Sequence, residues 1–247
     1  MNVISNDFTN VFNIPFYNRT LICFADEIMR GDFEKKMIVT PNVDHIVRLE
    51  SDKYFRENYL QSDVFVNDSR ILRLISRIIG TSSLNLIPGS DLTAYLFEQM
   101  LSSCEHPKIA IIGADVSVIE KIKEKYNLDN VVHHNPPMGF HESEIEVQKC
   151  VDLCFSANAK IIFLAVGSPK QEILAKRLRD NSVPGCYLCI GASLLFLAGE
   201  ERRAPLFIQK MHCEWLFRLL QNPRRLARRY LIDGLRIIPI SIREFLK

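Results

Sequence analysis

Asp68 follows the short apolar run Val64-Phe-Val66 and Asn67, where a strand must end. It is the only carboxylate placed immediately after a short apolar strand. A carboxylate there can take a proton from a hydroxyl nucleophile. The same position suits an N-cap for the helix that follows, Ser69 to Ile79. Position alone leaves both roles open, and capping is the commoner use of an Asp. A second group lies at Gly167-Ser-Pro-Lys-Gln-Glu172, between an apolar run (Ile161 to Val166) and a helix (Ile173 to Arg179). Such a helix start offers N–H groups and a positive dipole end suited to a diphosphate. An ordinary βα loop, with Gly at positive φ and Pro opening the helix, would look the same. Third, Arg224, Arg225, Arg228 and Arg229 share one helical face, with Arg218 on the preceding helix. Guanidinium groups in this number suit bidentate phosphate contacts. Trp215, Phe217, Leu219, Leu220, Leu226, Tyr230 and Leu231 are interleaved with them, a pattern that fits an anionic membrane interface. A solvated helix face is the bland counterpart, but no acid appears after Arg224 until Asp233.

Strands and helices alternate around these residues. Strands are expected at 36–40, 64–66, 108–113, 130–133, 160–166 and 186–190. Helices are expected at 43–51, 71–79, 91–102 (with Ser90 as N-cap), 116–126, 142–157, 171–179 and 193–198. This βαβα order implies an α/β fold: a three-layer, Rossmann-like, mostly parallel sheet with helices on both faces. Its strand ends carry Thr40-Pro-Asn42, Asn67-Asp68, Gly113-Ala-Asp115 and Gly167 to Gln171, which line one edge and converge on one crevice. His133-His134 and His141 flank Pro136-Pro-Met-Gly139-Phe140, read as a donor-side or surface loop. After Arg203 the pattern is helical only. One helix opens at Pro205 and runs to about Leu220, and a second is capped by Asn222-Pro223 and runs to about Leu231. The expected organisation is a catalytic domain over 1–200 and a basic helical appendage over 201–247.

Charge supports that division. The chain of 247 residues has a net charge of +2, but residues 201–247 hold 11 Lys/Arg against 4 Asp/Glu, leaving 20 against 25 in the rest. A basic tail on a mildly acidic body implies an anionic partner. Seven cysteines are scattered through apolar segments. They form no disulfide framework, so a reducing compartment is expected. Cys186 and Cys189 would face opposite sides of a strand, and with Cys150 and Cys154 they read as small buried hydrophobes rather than zinc ligands. Met1 to Asn18 has no basic start and is broken by Asn, Asp and Pro, so no signal peptide is expected. The uncharged stretch 182–199 reads as a strand, a Gly turn and a buried helix rather than a membrane span. No Asp-x-Asp, P-loop, G-x-G-x-x-G or His-Glu-x-x-His is present. Metal hydrolysis and NAD chemistry therefore have no support, and no metal or cofactor is expected.

Taken in order, these pieces resemble the WecG/TagA/CpsF glycosyltransferases, family 26. The resemblance is carried by Thr40-Pro-Asn42, Asn67-Asp68, Pro88-Gly-Ser-Asp91-Leu, His134 to Phe140 and Gly167-Ser-Pro-Lys-Gln-Glu172. It continues through Gly191-Ala, Phe196-Leu-Ala-Gly199, Arg203-Ala-Pro205, Glu214-Trp-Leu-Phe-Arg218, Asn222-Pro-Arg224 and Arg229-Tyr230. It spans about residues 11–230. Three positions depart from the family pattern: Ser69 stands for a Gly after the Asp, Leu86 for an Arg, and Leu195 for an Asp.

The resemblance implies an inverting, metal-independent transfer of an N-acetylmannosamine-type sugar or a uronic acid. The donor would be a UDP-sugar and the acceptor a polyprenyl-diphosphate-linked saccharide, at the cytoplasmic face of the cell membrane. On that reading Asp68 deprotonates the acceptor hydroxyl and Thr40 orients a sugar. Asn42, Gly113, Gly139, Gly167 and Gln171 bind the donor. Arg218, Arg225 and Arg228 offset diphosphate charge, and the tail meets the membrane surface. A non-catalytic nucleotide- or lipid-phosphate-binding module fits the same loops but gives Asp68 no task. Nucleic acid is not an expected partner, because no recognised motif accompanies the arginines. A homo-oligomer is left open.

Overall fold

The computed structural model describes residues 7–81, 83–103, 106–201, 205, 208, 214–221, 223, 227 and 234–246, with backbone only at 214 and 218. One eight-stranded sheet organises them. Its strands are β1 (Phe8–Val11), β2 (Ile14–Tyr17), β3 (Met37–Val39), β4 (Val64–Phe65), β5 (Ile109–Ile112), β6 (Val131–His134), β7 (Ile161–Leu164) and β8 (Cys186–Cys189), in the order β1-β2-β4-β3-β8-β7-β5-β6. Only the β1–β2 hairpin is antiparallel; every other pair is parallel.

The parallel strands are short apolar runs because both their faces are covered. Successive residues alternate between two cores. Met37, Val39, Ala110, Ile112, Ile162, Leu164, Tyr187 and Cys189 point to one face. Ile38, Ile109, Ile111, Ile161, Phe163, Cys186 and Leu188 point to the other. The first face is covered by α2 (Val43–Ser51), α3 (Lys53–Tyr59), α4 (Arg70–Ile78), α7 (Glu144–Ala157) and α8 (Lys170–Asp180). The second is covered by α1 (Leu21–Arg30), α5 (Gly89–Ser102), α6 (Val116–Tyr126) and α9 (Ser193–Leu197). The three-layer α/β expectation is what the structure has.

The four cysteines read as buried hydrophobes are buried. Cys186 and Cys189 lie on opposite faces of the sheet. Burial pushes the Cys150 thiol up to about 11 and the Cys154 thiol, beside it on α7, to about 12. Among the described residues no group of three His, Cys, Asp or Glu could hold a metal ion.

The C-terminal region is helical, with α10 (Glu214–Gln221) and α11 (Ile237–Phe245). The helices expected at 205–220 and 222–231 lie largely outside the described residues, apart from α10. The chain then returns to the α/β domain. Ile237 and Ile240 of α11 are buried in the first core beside α2. Arg243 pairs with Glu50 at 2.8 Å, and the Phe12 N–H donates to Glu244 Oε1 at 2.9 Å. Among the described residues no helix is long and apolar enough to cross a membrane.

Candidate active site at the carboxyl edge of the sheet

The strand order fixes where the loops meet. β3 passes on to β4 on one side and β5 to β6 on the other, while β7 and β8 fill the space between. The loops beyond their C-terminal ends therefore stand in one row, Asp68–Thr40–Gly191–Gly167–Gly113–Gly139. A ligand crevice belongs at such a reversal. At about 4.8 Å per strand, the row from β4 to β6 is roughly 24 Å long. Asp68 and Gly139 thus stand at opposite ends of it.

The capping of α4 expected of Asp68 falls to its neighbour. Ser69 is the N-cap of α4, its hydroxyl accepting the Leu72 N–H at 3.3 Å. The Ser that departs from the family's Gly does the capping, so the Asp68 carboxylate is turned to other partners. Its Oδ1 accepts the Gly89 N–H at 2.8 Å, and Oδ2 takes a long contact of 3.5 Å from Asn42 Nδ2. The Asp68 N–H donates to the Pro41 carbonyl at 3.0 Å, stitching the β4 loop to the β3 loop.

Asn67 brings Gly89 to this place. Its Oδ1 accepts the Ser69 N–H, its Nδ2 donates to the Asn85 carbonyl, and its own carbonyl accepts the Ile87 N–H. The 85–88 segment is so held along the end of β4, and α5 starts at the carboxylate. The Thr93 hydroxyl donates to the Gly89 carbonyl at 2.6 Å and secures that first turn. A Cβ on Gly89 would lie 3.3 Å from Thr40 Oγ1 and 3.4 Å from Ser193 Oγ. Thr40, Ser193, Gly89 and Asp68 therefore form one cluster. Neither Gly89 nor Ser193 was expected as a site residue, although Gly89 stands in the Pro88-Gly-Ser-Asp91-Leu motif that carries the resemblance.

Asn42 and Gln171 do more than line the crevice. Asn42 caps α2, its Oδ1 accepting the Asp44 and His45 N–H groups while His45 Nδ1 accepts the Asn42 N–H. Gln171 is buried; its Oε1 accepts the Gly191 N–H at 3.0 Å and its Nε2 donates to Glu172 Oε1 at 2.9 Å. It bridges the loops that follow β7 and β8. Gly113 (φ +99°) is obligatory: a Cβ there would meet the Ala165 carbonyl carbon and oxygen at 2.8 Å. Gly167 takes the left-handed backbone (φ +78°) with open space before it. The helices α6, α8 and α9 begin along this edge with no hydrogen bond from the side chain of their own N-cap residue, whereas the first N–H of α5 is taken by the Asp68 carboxylate. Arg225 and Arg228 lie outside the described residues, as does the Arg218 side chain.

The model of the Glycosyl transferase WecG/TagA/CpsF family matches residues 9–247. The chain belongs to this family. It is a glycosyltransferase of cell-surface polysaccharide synthesis. Its substrates are a sugar donor and an acceptor. The WecG/TagA/CpsF match runs through α11, in agreement with the packing of that helix on the α/β domain.

Proposed function

We propose that this glycosyltransferase inverts the anomeric centre of a UDP-sugar while transferring the sugar to a polyprenyl-diphosphate-linked saccharide. The observation that carries the reading is that Ser69 and not Asp68 caps α4, while the Asp68 carboxylate is held by the Gly89 N–H and Asn42 at the crevice. Asp68 takes the proton from an acceptor hydroxyl as that oxygen bonds to the anomeric carbon. The bond from the anomeric carbon to the diphosphate oxygen breaks on the opposite face, and UDP leaves with the electron pair. Thr40, next to Gly89, orients the sugar. Asn42 and Gln171 each have a second amide hydrogen to offer the donor.

The uncapped starts of α8 and α9, with Gly167 and Gly113 admitting the backbone closely, suit the donor's phosphates. Gly139 stands at the far end of the row, where the nucleoside would extend. Arg218, Arg225 and Arg228 offset diphosphate charge in the place of a metal ion. In the chain they lie between α9, which starts on the crevice edge, and α11, which packs against α2.

The appendage 201–247 is read as the contact with the inner face of the membrane. Leu216 and Leu220 on α10 are exposed, as are Ile238, Ile242 and Phe245 on one face of α11. Apolar stripes beside basic residues suit an anionic interface. The test is a panel of UDP-sugars against polyprenyl-diphosphate-linked monosaccharides, with product stereochemistry read by NMR. One donor giving an inverted glycoside is the expected result. Retention of configuration, or turnover only with donors lacking UDP, would overturn the reading.

A further inference from the structure

Glu172 is the buried carboxylate of the Gly167–Glu172 segment, and the proposed chemistry gives it no task. It lies in the first turn of α8 and is 1% exposed. Its Oε1 accepts from Gln171 Nε2, while among the described residues its Oε2 is buried without a hydrogen-bond partner, as is the nearby Ser168 hydroxyl. A carboxylate in that state is costly to bury; a neutral carboxyl is far less so. Among the described residues no ion pair holds it. Arg48 of α2 acts on it electrostatically, but that guanidinium is stacked over the Phe55 ring at 3.9 Å.

Two buried groups near it, on α3 and β8, resist a negative charge. Among the described residues the Tyr59 hydroxyl of α3 is buried without a hydrogen-bond partner, and its ring stacks with His45. Burial pushes Tyr59 and the Cys189 thiol of β8 well up, and a charge on Glu172 pushes both further. Asp68 adds to the effect on Tyr59. Burial likewise raises Glu172 itself, and outweighs the opposing pull of Gln171, of its own backbone N–H, of the Ser168 hydroxyl and of Arg48.

We propose that Glu172 is a positioning residue that works as a neutral carboxyl group. It holds the Gln171 amide in the one orientation that ties the loops after β7 and β8 together, and so keeps Ser193, Thr40 and Gly89 around Asp68. The two ends of a Gln amide have nearly the same shape, so hydrogen bonds alone choose between them. The Gly191 N–H demands an oxygen at one end, and Glu172 Oε1 demands an N–H at the other. With Oε1 accepting, the carboxyl proton resides on Oε2. The relay from Glu172 to Asp68 is then Gln171, Gly191, Ser193, Thr40 and Gly89. Its meaning for catalysis rests on the transferase reading above; its physical basis does not.

The test compares Glu172→Gln and Glu172→Ala with the parent in three readouts. The first is the unfolding midpoint between pH 4 and 9. An unfolded Glu ionises near about pH 4.3. A folded carboxyl that stays neutral above that value makes the parent lose stability as pH rises through the interval, then level off. The midpoint of Glu172→Gln minus that of the parent should therefore grow as pH rises from about 4.3 and then reach a plateau. A flat difference, or one of opposite slope, overturns the neutral carboxyl. The second readout is amide exchange at Gly191, expected to quicken about tenfold in Glu172→Ala and to be restored by Glu172→Gln. Unchanged exchange in the Ala variant overturns the positioning role. Should that variant fail to fold, the pH series of Glu172→Gln still decides. The third is sugar transfer, expected to fall in kcat for Ala and be restored by Gln. A parent that transfers no UDP-linked sugar counts against the transferase reading alone, because the first two readouts need no substrate.

Discussion

Asp68→Asn separates chemistry from structure at this site. Asn keeps an Oδ1 that can accept the Gly89 N–H, now at 2.8 Å. What is lost is the charge on that hydrogen bond, a cost of about 1 kcal/mol. For a chain of this size 1 kcal/mol moves Tm by about 2–4 °C. Helix α4 is untouched because Ser69 caps it. The amide has no useful proton affinity, and loss of a general base lowers the rate by about 10²–10⁴, or about 3–5 kcal/mol of barrier. Ser69→Ala is the mirror experiment: loss of the cap costs about 1 kcal/mol, and kcat should stay within a few-fold of the parent. The assay is UDP release with the donor and acceptor selected by the panel, beside thermal unfolding of both variants. Asn at 68 should leave a folded, nearly inactive protein; Ala at 69, an active, less stable one. Turnover of Asp68→Asn within a few-fold of the parent would remove Asp68 as the base.

Four further outcomes are expected. EDTA should leave transfer largely intact; its abolition, with rescue by Mg²⁺ or Mn²⁺, would defeat the arginine account of leaving-group charge. Arg225→Ala/Arg228→Ala should stay inactive even on a water-soluble short-chain acceptor, whereas full rescue by that acceptor would restrict the pair to membrane binding. The parent should sediment with anionic vesicles at low salt and much less with neutral ones, each basic residue contributing about 1 kcal/mol. Truncation after Gly199 is a poorer test, because it also removes Ile237 and Ile240 from the core, at about 1.5–3 kcal/mol each. Gly113→Ala should destabilise by about 2 kcal/mol or more, since positive φ and overpacking add; an unchanged Tm would mean that the β7 loop yields easily.

Much of the fold was legible because the local signals were strong. Parallel strands covered on both faces must be continuous apolar runs, and Ile109–Ile112, Ile161–Leu164 and Cys186–Cys189 stand out as such. Helices Val43–Ser51 and Val116–Tyr126 have the bounds read from their periodicity. The elements that escaped had conflicting local signals. In the β1–β2 hairpin, Asn10, Asn13 and Pro15 read as interruptions, yet Phe12 and Asn13 form its left-handed turn (φ 56° and 58°). In α11, Pro239 argues against a helix, but it falls in the first turn, where its missing N–H costs nothing.

The sequence by itself determined which loops carry polar groups and that a parallel sheet would align them. It could not order the strands, so it could not say that Gly139 stands five strands from Asp68. It could not say which side chain caps α4 or what meets the Asp68 carboxylate, because those pairings depend on the Ser69 hydroxyl and on a Gly89 N–H about twenty residues away. Nor could it show that Glu172 is buried with an orphaned oxygen among α2, α3 and β8. Strand and helix formation are decided within a few residues by propensity and period. The partner of a buried polar group is decided by which distant segments the sheet brings together, and only the tertiary structure contains that.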